Sequence, residues 1–73
     1  MKLKQEALAS PSLRDIIRCK KFGTFILECL CEETTEESVI EDLRPIFDVP
    51  GEEVRAAVAD LLLELRKIDA LEE

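Results

Sequence analysis

The sequence predicts a mainly α, small α+β domain: a three-helix unit over residues 22–73, preceded by a short N-terminal β-hairpin or irregular segment over residues 1–21. Three observations predict it. Apolar residues near the C-terminus recur at three- and four-residue steps, which is one face of an α-helix. Thr34, Pro45 and Pro50-Gly51 are helix starters and breakers that divide the chain beyond residue 22 into helix-length pieces. A chain of 73 residues, 47% of them hydrophobic, has the length and apolar content of one globular domain, near the lower limit at which a single core suffices. Residues 1–73 therefore form a single unit.

Residues 1–21 read two ways. In "SPSLRD", Ser10 is placed as a cap and Pro11 falls in a first helical turn, with Leu13, Ile16 and Ile17 following at helical spacing. Equally, "KLKQEAL" and "LRDIIRC" read as two short strands joined around Ala9-Ser10-Pro11-Ser12. Segments this short satisfy both periods.

The first helix of the trio follows. Phe22, Phe25, Ile26, Cys29 and Leu30 share one face, and Leu27 and Cys31 lie together on another. Glu32, Glu33 and Thr34 connect it to the second helix, where Thr34 and Glu37 have capping-box spacing. Val39, Ile40, Leu43 and Phe47 form that helix's apolar face. Pro45 deletes a backbone hydrogen bond and crowds the preceding turn, so a kink or an early end is expected near Arg44, with Ile46 and Phe47 still buried. In the third helix, Val54, Ala57, Val58, Leu61, Leu65 and Ile68 form the core face. Glu52 and Glu53 open it and Arg66 and Lys67 close it, each pair complementing the helix dipole. Asp69 stands where a C-terminal cap belongs, and Leu71 is placed to fold back onto the core.

The two cysteines of "ECLC" raise the question of a metal or redox site. Residues two apart on a helix point about 200° apart, so Cys29 and Cys31 do not clamp one ion. The chain has no histidine to complete a zinc set. The cysteines read as small hydrophobes, and no metal, cofactor or catalytic residue is expected. Two glycines do not make a phosphate loop, and no serine has a plausible base.

Charge narrows the field further. Residues 1–27 carry six basic and two acidic side chains; residues 28–73 carry four basic and fifteen acidic ones, for a net charge of −7. A nucleic-acid reader usually has a basic recognition element, and the C-terminal helices are acidic, so nucleic-acid binding is disfavoured. No apolar run approaches the ~18 residues of a membrane span. Residues 1–20 lack a signal-peptide apolar region, and three cysteines leave at least one unpaired, which favours a reducing cytoplasm.

The order of segments resembles a known family. "KKFGTFILECL", then "EETTEESVIEDLRPIFDVPGEEVRAAVADLLLELRKIDALEE", is similar to the three-helix half of the PqqD-like family. The resemblance covers about residues 19–73. It rests on Gly23 opening the first helix, Thr35-Glu36-Glu37-Ser38 opening the second, "FDVP" at 47–50 and the closing "LLELRKIDALEE". It implies a winged helix-turn-helix-like recognition domain that binds the leader of a ribosomally synthesised precursor peptide. The domain would present that leader to a modifying enzyme, often a radical S-adenosylmethionine enzyme. The alternative is a small helical homo-oligomer or a DNA-binding regulator on the same frame.

The resemblance also implies a site. The leader adds as an extra strand to the last N-terminal strand, here Arg14, Ile16, Ile17, Arg18 and Cys19, and packs against the third helix. With Val54 at the centre of the core face, Leu62, Arg55, Arg66, Ala59 and Leu63 fall at about 80° to 180° around that helix. This second stripe is apolar and small in its middle, with an arginine towards each end. Leu61, Leu62 and Leu63 do not all face one core, so one of them looks elsewhere. An apolar stripe left over on so small a core also predicts a homodimer in the absence of a partner.

Overall fold

Four helices and two very short strands make up the structure, a computed structural model describing residues 1–73. In chain order they are β1 (Lys2–Leu3), a 3-10 turn (Gln5–Ala9), α1 (Pro11–Cys19), α2 (Gly23–Leu30), α3 (Glu36–Phe47), α4 (Gly51–Lys67) and β2 (Leu71–Glu72). The protein is thus mainly helical, with a small antiparallel sheet.

The N-terminal ambiguity resolves as a helix. A strand through 13–18 would place Asp15 on the same face as Leu13 and Ile17. The helix instead turns Leu13, Ile16 and Ile17 inward while Arg14, Asp15 and Arg18 stay exposed. Pro11 takes the first helical position, where its missing N–H costs nothing. The expected edge strand at Arg14–Cys19 is therefore absent, and with it the N-terminal hairpin. β1 pairs across the whole chain with β2, in the register Lys2↔Glu72 and Leu3↔Leu71. The Lys4 N–H extends the ladder by donating to the Ala70 carbonyl at 2.8 Å. On its other side, Met1 exchanges two backbone bonds with Thr34, of 2.7 and 2.9 Å.

Between α1 and α2 the backbone turns tightly. Phe22 adopts a left-handed conformation (φ 60°), and Gly23 lies so near α1 that a Cβ there would fall 2.3 Å from the Ile17 carbonyl oxygen. Gly23 opens α2, as the family resemblance implied, because only hydrogen fits there.

Three details of α3 differ from expectation. Its cap is Thr35 rather than Thr34: the Thr35 hydroxyl accepts from the Ser38 N–H at 3.2 Å. The helix also continues through Pro45 to Phe47. Pro45 and Glu41 are both exposed, so the backbone bond that Pro45 does not make is missing on the solvent side of the helix. Continuing the helix carries Ile46 outward, 56% exposed, while Phe47 stays half-buried against Phe22 and Phe25 at centroid distances of 4.3 and 4.9 Å.

The core lies where α4 meets α3 and the α1–α2 pair. Val54, Val58, Leu61, Leu62 and Leu65 of α4 are fully buried with Ile26, Leu30, Val39 and Leu43, and no polar side chain is buried among them. Asp69 adopts the left-handed conformation (φ 56°) that ends α4 and returns Ala70 and Leu71 to the core.

Candidate functional site

A groove of about 380 Å³ runs between α1 and α2. Leu8, Leu13, Ile17 and Leu27 form its apolar part, and Arg14 and Arg18 stand on it, with Thr24 opposite. It runs into a depression of about 460 Å³ that shares Ile17, Arg18 and Thr24 and reaches the Phe22, Phe25 and Phe47 cluster. At its other end it meets, at Leu8, a hollow of about 810 Å³ beside β1 that includes Lys2, Lys4 and Cys31. Leu8, 46% exposed, therefore sits at the junction of two concave surfaces.

The local sequence explains this arrangement. "LRDIIR" holds two apolar–arginine steps, Leu13-Arg14 and Ile17-Arg18, four residues apart. On a helix, that spacing stacks both apolar side chains on one line and both arginines on the adjacent one. Neither Arg14 nor Arg18 has an ion-pair partner, whereas Lys20 pairs with Asp60 at 2.7 Å and Lys21 with Glu53.

The site residues read from the sequence separate into two groups. Arg14, Ile17 and Arg18 come together in the α1–α2 groove. Ile16 packs against the core, and Cys19 is exposed at the end of α1. The α4 residues do not join them. Leu62 is fully buried and serves the core, since the buried arc of α4 is centred between Val54 and Val58 rather than on Val54. Ala59 and Leu63 are exposed. Arg55 donates to Glu37 at 2.7 Å and Arg66 to Glu73 at 2.7 Å. No concave surface of the protein is lined by an α4 residue. Leu8, Leu13, Thr24 and Leu27 also line the groove; the repeated apolar–arginine step could have pointed to Leu13, whereas Leu8, Thr24 and Leu27 come from other elements and carry no local signal.

The cysteines occupy three different environments. Cys29 is half-buried against the core, and partial burial pushes its thiol up, with the Asp42 and Glu28 charges acting in the same sense. Cys31, by contrast, is exposed at the end of α2, and its thiol donates to the Leu27 carbonyl at 3.4 Å. Nowhere do three histidine, cysteine or acidic side chains gather at a distance suited to a metal.

The family model described as Coenzyme PQQ synthesis protein D (PqqD) matches residues 7–71. The chain belongs to the PqqD family. The match reaches further towards the N-terminus than the segments that carried the resemblance, taking in α1 and both sides of the groove. No curated protein and no solved structure matches the chain. PqqD proteins are non-catalytic accessory proteins, and membership implies a peptide-binding partner role. No helix of this PqqD-family chain is long and apolar enough to cross a membrane.

Proposed function

We propose that this protein is a non-catalytic module that captures the leader of a ribosomally synthesised precursor peptide and presents it to a modifying enzyme of the radical S-adenosylmethionine class. One observation carries the reading: a chain matched to the PqqD family over residues 7–71 keeps an open apolar groove between α1 and α2, with two arginines that no carboxylate neutralises. A leader there is anchored by side chains entering the Leu8–Leu13–Ile17–Leu27 floor. Because α1 offers no free strand edge, affinity comes from those anchors rather than from a ladder of backbone bonds. Presentation then needs no chemistry from this chain. Holding the leader beside the enzyme turns capture of the remaining precursor into an intramolecular step at raised effective concentration.

The test is calorimetric titration with the leader segment of a candidate precursor peptide, sought among the genes that neighbour this one. Leu8→Glu puts a charge on the exposed floor and is expected to weaken binding at least ~10-fold, about 1.4 kcal/mol, with the fold intact. Leu63→Glu on α4 is expected to bind normally. If Leu63→Glu abolishes binding and Leu8→Glu does not, the leader lies on α4.

A further inference from the structure

Resting on that reading, we infer that the α1–α2 groove selects an acidic segment of peptide, whose apolar side chains fill the floor while its carboxylates meet Arg14 and Arg18. Ion pairing across the molecule points to this chemistry. Of its ten basic side chains, six are paired to carboxylates: Lys4, Lys20, Lys21, Arg55, Arg66 and Lys67. Of the four left over, Arg14 and Arg18 stand on the groove and Lys2 on the hollow that meets it at Leu8; only Arg44 lies elsewhere. A chain of net charge −7 thus keeps two of its four uncommitted cations on a groove that no carboxylate lines, while the hollow beyond Leu8 sets Lys2 among the unpaired Glu6 and Glu72.

Spacing agrees with the charge. Arg14 and Arg18 are one turn apart on α1, a rise of about 6 Å. Carboxylates two residues apart on an extended peptide, separated by about 6.7 Å, match that interval. Arginine's planar fork also suits carboxylates held side by side. The rest of the surface repels the same ligand, since residues 28–73 carry fifteen carboxylates against four basic side chains. Attraction at the groove and repulsion elsewhere together steer an acidic segment to one place. A second copy of this chain is the poorer occupant. Docked through the same groove about a two-fold axis, it would set its own Arg14 and Arg18 against these, and it brings a further charge of −7.

The experiment measures fluorescence anisotropy of three labelled twelve-residue peptides alternating leucine with glutamate, glutamine or lysine, alongside the same candidate leader. We expect the glutamate peptide to bind about tenfold more tightly than the glutamine one, the lysine peptide not to bind, and the difference to shrink as salt rises. In Arg14→Gln/Arg18→Gln, both positions are exposed and glutamine is a good helix former, so the fold is retained while the glutamate preference disappears. Arg14→Lys/Arg18→Lys should keep part of it. Equal binding of the three peptides overturns the inference, as does a glutamate preference that survives the double glutamine variant. Self-association that the double variant abolishes also overturns it, by making the occupant a second copy. If the leader binds independently of Arg14 and Arg18, the acidic selectivity is wrong and leader capture stands. If the glutamate peptide binds through them and the leader does not bind, the selectivity stands and leader capture is wrong.

Discussion

Leu61, Leu62 and Leu63 are chemically identical neighbours with different fates: the first two are fully buried and the third is 51% exposed. Each step along a helix turns the side chain by about 100°, so the apolar arc of α4 admits two consecutive leucines at its edges and turns the third away. The energetic consequences follow from burial. Leu62→Ala leaves a cavity at the α4 core and is expected to cost about 2–5 kcal/mol. Leu63→Glu exchanges an exposed side chain and should stay within about 0.5 kcal/mol of the parent. Urea denaturation of the two variants checks both values, and a large loss for Leu63→Glu would mean that the residue is covered in solution. Centring the core face on Val54 put Leu62 on the wrong side by a fraction of a turn. Val58 and Leu65, on the same side of Val54 as Leu62, held the information needed to rotate it.

At the scale of elements, what could be read from the sequence depended on whether the determinant was local. The α4 helix is long, strongly periodic, and marked at both ends by charges that suit its dipole, so its limits were evident. The start of α3 was misread by one residue because Thr34 and Thr35 are both good caps, and only the turn before the helix decides between them. Pro45 has the local signature of a breaker, but its exposed position lets α3 run on to Phe47. The α1 segment is nine residues long and fits either period until Asp15 has to be kept out of the core. Elements joined by ion pairs allow a further test. The Arg55 guanidinium donates to Glu37 across α3 and α4 and, by that hydrogen bond first and its charge second, holds the Glu37 carboxyl below the ordinary range. A carboxyl depressed in the folded state stabilises above its unfolded pKa of roughly 4.3, and that contribution is lost as pH falls through the folded value. Glu37→Gln should therefore melt below the parent at neutral pH, with the gap closing in acid and narrowing at high salt. A gap unchanged down to the lowest pH at which both fold would show that the pair contributes nothing.

For the molecule as a whole, the feature least visible in the sequence is the closure of its two ends. Leu3 and Leu71 are cross-strand neighbours separated by nearly the full chain, and no local pattern announces such a pairing. Yet both are buried, with Ala70 between β2 and the end of α4. All three cysteines are free, and a core of this size supplies only about 3–5 kcal/mol of net stability. Removing the Leu71 side chain takes away one of the contacts that hold β1, and Leu71→Ala is expected to cost about 2–5 kcal/mol, most of that margin. If closure belongs to the cooperative unit, the urea midpoint falls sharply while the slope is unchanged. The Lys4 N–H, bonded to the Ala70 carbonyl in the native state, should then exchange at the global unfolding rate in the parent and in the variant alike. A midpoint that holds while that one amide loses protection would instead make the sheet a local clasp on an otherwise independent helical core.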